Sequence, residues 1–174
     1  RGDYCFTSAV LTSKIWLIHR DDAGDWQATA VADIGDASQI PLPVDISISA
    51  DDNRLWVDTF MDGKSRLFDV SDPFNPKQVY EKDIGRQINM ASQSWDGNRI
   101  YYTSSLLANW DKKGEDNDQY FKAYVWNGDE LVEKFAIDFT TEKLGRPHQM
   151  RFGAYGLYAK KPGQPEDPRV ARLQ

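Results

Sequence analysis

A repeat with a spacing of 45 residues is the feature that most limits how this chain can fold. Residues 49–57 and 94–102 both give a strand, a tight acidic turn, an arginine and a second apolar strand. Asp51-Asp52 and Asp96-Gly97 supply the turn chemistry, because short acids bond the local backbone and glycine tolerates positive φ. Blades of four antiparallel strands that recur every ~40–50 residues are typical of a β-propeller. The spacing therefore predicts an all-β fold of the β-propeller class.

Strand-like segments and turns divide the rest of the chain into units of the same kind. Residues 46–49 alternate with period two, as a strand with one buried face does. Asn127-Gly128 lies between two apolar runs, which is a strong hairpin signal. We predict about two whole and two partial blades of a larger ring, which we expect to be seven-bladed. The predicted units are a partial blade (1–40), a blade (41–86), a blade with an insertion at 110–118 (87–145), closing strands (146–160) and an irregular tail (161–174).

Composition and charge exclude several classes of function. The formal net charge is −6, and no basic stripe runs along the chain, so the electrostatic footprint of a nucleic-acid-binding protein is missing. No apolar run is long enough to span a bilayer. The single cysteine, Cys5, rules out a disulfide within the chain.

The chain begins with Arg1-Gly2-Asp3 rather than with methionine and runs at once into a strand-like segment. Two whole blades cannot close a ring, and closure is what protects the sheet edges of a propeller. We therefore expect the chain to be the C-terminal part of a single propeller domain. The remaining N-terminal part would lie on another segment or chain; the alternative is assembly with copies of itself as a homo-oligomer.

The run from Ser94 to Leu106, followed by Trp110-Asp111-Lys112, resembles a segment of the selenium-binding protein (methanethiol oxidase) family. Residues 45–52 and 68–73 are similar to the preceding blade of that family. Leu144-Gly145 with residues 148–152 is similar to its closing segment, although Gln149 stands where the animal members have a glutamate. The resemblance covers nearly the whole chain, and its wording is closer to the bacterial members.

The resemblance implies a propeller enzyme that uses copper. The implied reaction is the oxidation of methanethiol by oxygen and water to formaldehyde, hydrogen sulfide and hydrogen peroxide. The implied partner is a small-molecule thiol, and the implied location of a bacterial member is the periplasm. The histidine-rich and cysteine-containing segments of the family lie mainly in its N-terminal half, outside this chain.

His148 is the candidate metal ligand. It follows Pro147 and precedes an apolar strand, so it lies at the entrance of a strand, where the inner strands of a propeller line the central channel. A neutral imidazole is a good copper ligand. From the residues alone, a lone histidine is more often a hydrogen-bonded polar residue at a strand end. The resemblance favours the copper ligand.

Asp45 is the candidate outer partner of a metal-bound histidine. It precedes the innermost strand of its blade, where a carboxylate can accept a hydrogen bond from a ligating imidazole. The alternative is a cap on the preceding turn, which the residues alone favour. No catalytic residue follows from the sequence.

The remaining candidates favour structural roles. His19 alternates with apolar residues close to a surface turn, and Cys5 lies in an aromatic strand where a free cysteine behaves as a small buried hydrophobe. The acidic residues of the insertion lack the closing glutamate of a calcium loop, so we interpret the insertion as solvated. We expect three tryptophans to pack between blades rather than to relay electrons: Trp56, Trp110 and Trp126.

Two other functions remain open at this point. A propeller without catalysis would bind selenium, a metal or a partner protein, because fold does not fix function. A propeller lactonase would need a calcium-binding set of carboxylates and amides in the channel. The chemistry of the channel lining distinguishes them: several histidines for the oxidase, acids and amides for the lactonase, and neither for a scaffold.

Overall fold

A computed structural model describes residues 4–94, 96–104 and 118–150 of the 174-residue chain. Within these residues the regular secondary structure consists of strands and one short 3₁₀ turn at Ala37–Gln39. No helix in these ranges is long and apolar enough to cross a membrane. The strands are β1 Tyr4–Ala9, β2 Lys14–Arg20, β3 Trp26–Asp33, β4 Pro43–Ile48, β5 Arg54–Thr59, β6 Lys64–Asp69, β7 Lys77–Asp83, β8 Ile88–Gln93, β9 Arg99–Ser104, β10 Tyr120–Trp126 and β11 Leu131–Asp138.

The strands form three antiparallel sheets in chain order. The first sheet has the order β1-β2-β3, the second β4-β5-β6-β7, and the third β8-β9-β10-β11. Each sheet is a meander in which consecutive strands pair, and short turns set the register of the β1–β2, β4–β5 and β8–β9 hairpins. Strand β4 packs against β1 on one side and against β8 on the other. The first strands of the second and third sheets, β4 and β8, are called the inner strands below.

Two hydrophobic cores lie between the sheets, one on each face of the second sheet. Along β5 the side chains alternate: Leu55 and Val57 join the core toward the first sheet, and Trp56 joins the core toward the third. This alternation follows from the two-residue period of a strand. Trp56 and Trp126 meet edge to face with ring centroids 5.5 Å apart, so the prediction that they pack between blades is confirmed.

The 45-residue repeat is visible in the hydrogen bonds of its turns. The Ser49 hydroxyl donates to the Asp51 carboxylate and accepts from the Arg54 N–H at 3.0 Å, while the Ser49 N–H donates to the Arg54 carbonyl at 2.8 Å. These bonds fix the turn and bring the inner strand into register with the next strand. The same bonds recur 45 residues later among Ser94, Asp96 and Arg99.

A second equivalence, with an offset of 50 residues, relates the first sheet to the second. The Ile34 N–H donates to the Ser13 carbonyl at 2.7 Å, and the Ile84 N–H donates to the Gly63 carbonyl at 2.9 Å. Ser13 and Gly63 both have positive φ, at 50° and 69°. The β1–β2 hairpin is therefore the counterpart of the β5–β6 hairpin. In the described part of the chain, the first sheet has no counterpart of the inner strand β4.

Several predicted segments fall outside the described ranges. They are the insertion at 110–118, except for its last residue Asp118, and the tail at 161–174. The insertion includes Trp110. Of the closing strands predicted at 146–160, only residues 146–150 are described, and they form no strand.

Candidate functional site

The main chain around His148 is anchored to the third sheet, and its imidazole is exposed. The Thr103 hydroxyl on β9 donates to the His148 carbonyl oxygen, and the Ser92 hydroxyl on β8 donates to the Met150 carbonyl at 3.2 Å. Pro147 is buried, whereas the side chain of His148 faces solvent. The hydrogen bonds thus hold the backbone at His148 and Met150 while the imidazole is exposed.

The anchoring of residues 148–150 resembles the contact between the two inner strands. Ser92 lies 45 residues after Ser47, and the Ser47 hydroxyl accepts a hydrogen bond from the Gln93 amide of β8 at 2.9 Å. In both cases a serine on an inner strand is hydrogen-bonded to the segment that follows its own sheet along the chain. Residues 148–150 therefore lie beside β8 and β9, although they form no strand.

The carboxylate of Asp45 links the two inner strands. One oxygen accepts from the Ile46 N–H at 3.0 Å, and the other accepts from the Ala91 N–H of β8 at 2.7 Å. Both bonds go to main-chain amides, so Asp45 fixes the distance between β4 and β8. Asp45 thus bridges the second and third sheets, whereas His148 is bound through its carbonyl to Thr103 of the third sheet.

A buried polar network joins the second and third sheets, and sequence analysis did not identify it. The fully buried Asp58 accepts from the Ser65 hydroxyl at 2.7 Å, and the Tyr102 hydroxyl donates to the Ser65 oxygen at 3.0 Å. Burial raises the pKa of Asp58 well above its usual value, and the nearby charge of Asp45 adds to that rise. Burial also raises the pKa of Tyr102. The sequence signal for this network is Asp58 itself, an acid that follows the apolar residues of β5.

A copper centre needs several nitrogen or sulfur donors close together. Among residues 4–94, 96–104 and 118–150, no three histidine, cysteine, aspartate or glutamate side chains lie together in a way that would hold a metal ion. The described residues therefore do not form a copper centre by themselves. His148 is one candidate ligand, and the described residues do not group it with two further donors of these types.

Cys5 is exposed, which corrects the expectation of a small buried hydrophobe. It lies on β1, whose edge away from β2 has no strand beside it in the described ranges. With Tyr4 and Phe6 it borders a cavity of about 240 Å³ between β1 and β4. The expected burial depends on a neighbouring strand that the described residues do not supply.

His19 is held by two hydrogen bonds and a ring contact. Its Nε2 lies 3.0 Å from the Thr29 hydroxyl and its Nδ1 lies 3.0 Å from the Arg20 carbonyl. The ring meets Phe74 edge to face at 4.8 Å. Both ring nitrogens have protein partners, in keeping with a structural role. Of the acidic insertion only Asp118 is described, and its carboxylate lies 3.6 Å from the Arg86 guanidinium.

Comparison with known proteins identifies the family. Residues 1–156 match the family described as 56 kDa selenium binding protein. The chain is 65% identical over 158 residues to a methanethiol oxidase of Ruegeria pomeroyi, covering 91% of this chain and 36% of that protein. It is 57% identical over 152 residues to a methanethiol oxidase of a Hyphomicrobium species, covering 87% of this chain and 35% of that protein. The chain thus spans about a third of the length of these relatives.

Solved structures agree with the fold. A hypothetical selenium-binding protein from Sulfolobus tokodaii superposes with a TM-score of 0.66 at 28% identity, covering 80% of this chain and 37% of that chain. The β-propeller domain of Cps50 (Swd1) from Myceliophteria thermophila superposes with a TM-score of 0.59 at 9% identity, covering 81% of this chain and 43% of that one, which bears on the fold alone. The prediction of an all-β propeller is confirmed. The chain belongs to the 56 kDa selenium binding protein family.

Proposed function

We propose that this chain is the C-terminal part of a methanethiol oxidase. The observation that carries the proposal is the 65% identity over 91% of the chain to a relative of that name. Because the chain spans about a third of that relative, the activity belongs to the assembled protein rather than to these residues alone.

The proposed reaction is the copper-dependent oxidation of methanethiol by oxygen and water to formaldehyde, hydrogen sulfide and hydrogen peroxide. His148 is the proposed copper ligand of this chain, supported by its exposed imidazole and by the anchoring of its carbonyl to Thr103. Copper(I) prefers soft sulfur donors, which suits a thiol substrate. Since the described residues hold no complete metal site, no step of the reaction is assigned to them.

Asp45 is the proposed outer partner of the site, acting through the spacing of the inner strands that it bridges. The proposed partner of the chain is the N-terminal part of the same propeller, and the proposed location is the bacterial periplasm. The hydrogen bond from the Ala91 N–H supports the proposed role of Asp45, because a shift of β8 would move the segment anchored at Ser92.

The test is a reconstituted assembly of this chain with the remaining part of the Ruegeria pomeroyi relative. Bound copper is measured by elemental analysis, and peroxide release is measured with methanethiol as substrate. His148→Ala is expected to lower both copper content and peroxide release. His19→Ala is the matched control, because it removes the other imidazole of the chain at a site where both nitrogens have protein partners.

An assembly that binds no copper and releases no peroxide even when copper is supplied would contradict the oxidase. A non-catalytic propeller that binds selenium, a metal or a partner would then be the better account. If copper and peroxide are present but unchanged in His148→Ala, the oxidase stands and the ligand assignment is wrong.

A further inference from the structure

Two hydroxyl groups on one face of the third sheet hold the segment that contains His148. Ser92 of β8 donates to the Met150 carbonyl at 3.2 Å. Thr103 of β9 donates to the His148 carbonyl. Residues directly opposite each other in an antiparallel pair share a face of the sheet, as do residues two apart in one strand. Met90 shares this face with both hydroxyls, because it is paired with Thr103 and lies two residues before Ser92.

The neighbours of Met90 along β8 agree with this placement. Ala91 belongs to the core toward the second sheet, and the Gln93 amide donates to β4 of that sheet at 2.9 Å. Because successive residues of a strand face opposite sides, the Met90 side chain lies on the side away from the second sheet. Met90 is half-buried and is not one of the residues of that core. Its thioether therefore lies on the side of the sheet that holds the His148 segment, where a ligand can reach it.

A thioether is a donor that suits copper in its reduced state. Copper(I) prefers soft sulfur ligands, and imidazole also binds copper. The methionine side chain is unbranched and its sulfur is polarisable, so it can adjust to the position of a metal ion. In the described ranges, no three histidine, cysteine, aspartate or glutamate side chains lie together as a metal site. The Met90 sulfur is a donor of a type outside those four.

We propose that the Met90 thioether is a copper(I) ligand beside the imidazole of His148. This inference rests on the proposed function in taking His148 as the copper ligand of this chain. Thr103 connects the two residues, because it is paired with Met90 and its hydroxyl holds the His148 carbonyl. A soft donor at this position favours copper(I) over copper(II). Loss of the sulfur should therefore weaken the binding of copper(I) more than the binding of copper(II).

Met90→Leu is the variant that tests the ligand, because leucine keeps nearly the same volume and removes the sulfur. The protein is the assembly of this chain with the remaining part of the Ruegeria pomeroyi relative. Its copper(I) affinity is measured without oxygen by competition with bicinchoninate. The variant is expected to bind copper(I) about tenfold or more weakly, while its copper(II) affinity changes by less than about threefold.

Met61→Leu is the matched control. Met61 lies in the turn after β5 of the second sheet, where its N–H donates to the Pro41 carbonyl at 3.0 Å. This substitution also removes one thioether from the chain, and it is expected to leave both copper affinities as in the parent. Thermal unfolding of the copper-free assemblies is expected to give the same midpoint for the parent, Met90→Leu and Met61→Leu, because leucine packs as methionine does.

Selenium X-ray absorption detects the metal bond directly. This chain is labelled with selenomethionine, the other part keeps ordinary methionine, and the assembly is loaded with copper(I). A copper neighbour of selenium is expected in the parent and in Met61→Leu, and it is expected to be absent in Met90→Leu.

Unchanged copper(I) affinity in Met90→Leu, or an equal loss of copper(I) and copper(II) affinity, would overturn the proposal. A copper neighbour of selenium that persists in Met90→Leu would do the same. Weaker copper(I) binding in His148→Ala but not in Met90→Leu would overturn this inference and leave the proposed function standing. All of these measurements are made without methanethiol, so failure of the oxidase activity is a separate result.

Discussion

The two interfaces of the second sheet differ in chemistry although they share one set of strands. The core toward the first sheet is almost wholly aliphatic, built from Ile15, Ile34, Leu55, Val57, Phe68 and Val70. The core toward the third sheet contains interlocking aromatic rings and the buried Asp58–Ser65–Tyr102 network. Trp126 meets Trp56 at 5.5 Å and Tyr80 at 5.0 Å.

The difference shows that burial and orientation are separate tasks. An aliphatic core stabilises two sheets with little directional preference, because the hydrophobic effect is non-directional. Aromatic edges and buried hydrogen bonds work only at particular distances and angles. The first interface therefore holds the sheets together, and the second also fixes how they are turned.

Trp56→Ala should break the second interface with the largest effect. The side chain is 1% exposed and contacts Tyr80 and Trp126, so its loss should lower the free energy of unfolding by about 3–5 kcal/mol. Urea denaturation measures this. Trp26→Ala is the control, because Trp26 is 56% exposed and its ring packs against the Arg20 guanidinium, so its loss should cost about 1 kcal/mol or less. Similar losses in both variants would contradict the packing role.

Gly85→Ala and Gly35→Ala compare the two interfaces at equivalent positions. An added Cβ at Gly85 would lie 2.9 Å from the ring of Tyr120, and at Gly35 it would lie 2.9 Å from the Arg66 guanidinium, which is buried and bonded to Thr59 and Asp62. Gly85 has a φ of 155°, a conformation almost restricted to glycine, whereas Gly35 has a φ of 61°. Gly85→Ala should therefore cost more, about 2–4 kcal/mol in thermal unfolding. Gly24→Ala is the control for positive φ alone, since nothing lies within 4 Å of its Cβ position. Equal costs at Gly35 and Gly85 would contradict the greater backbone restriction at Gly85.

Asp58→Asn should change how stability depends on pH. Folding raises the pKa of Asp58, so the folded state binds more protons than the unfolded state. The stabilising contribution of the protonated Asp58 is present at pH below about 3.8 and is lost as the pH rises through the folded pKa. The asparagine can still accept from the Ser65 hydroxyl. Relative to the parent, the variant should therefore be more stable at neutral pH than at acidic pH, by about 1–3 kcal/mol. Denaturation across pH measures this.

Asp51→Asn is the control of opposite sign for that comparison. The hydrogen bond from Ser49 lowers the pKa of Asp51, so its contribution is present above the unfolded pKa and is lost as pH falls. This variant should therefore lose stability relative to the parent at neutral pH. A pH profile of Asp58→Asn that runs parallel to the parent would show that Asp58 is not held protonated.

Tyr102→Phe should have the smallest effect of the series. It removes the hydroxyl that donates to Ser65 but leaves the ring in place, so the loss should be about 1 kcal/mol in urea denaturation. The double variant with Ser65→Ala completes a cycle. A coupling energy near zero would show that the network does not act as a unit.

Strand positions and the 45-residue repeat could be predicted because they rest on local signals. Alternation sets the buried face of a strand, and the Ser–Asp–Arg turn recurs in sequence as it does in hydrogen bonds. The 50-residue equivalence could not be predicted because Ser13 fills the positive-φ position that Gly63 fills in the next sheet. The sequence does not show that these two different residues adopt the same backbone conformation.

The rest could not be predicted because it depends on neighbours that are distant in sequence. Cys5 is exposed in the described part of the chain, where β1 pairs with β2, and the aromatic character of the strand does not reveal this. The roles of Asp45 and Asp58 depend on which sheet faces them: Asp45 bonds an amide 46 residues away, and Asp58 connects through Ser65 to Tyr102. The copper assignment of His148 stays a prediction that rests on the family.

The outer face of the third sheet has a consequence for handling the chain in solution. Tyr101, Phe121 and Phe135 form a line of rings across this face, with centroids 5.8 and 6.3 Å apart, and Phe135 is 53% exposed. Contiguous exposed aromatic surface promotes aggregation. In a closed ring the same face would be sequestered against a neighbouring blade. The tendency of this chain to associate through that face should therefore depend on whether a neighbouring blade covers it.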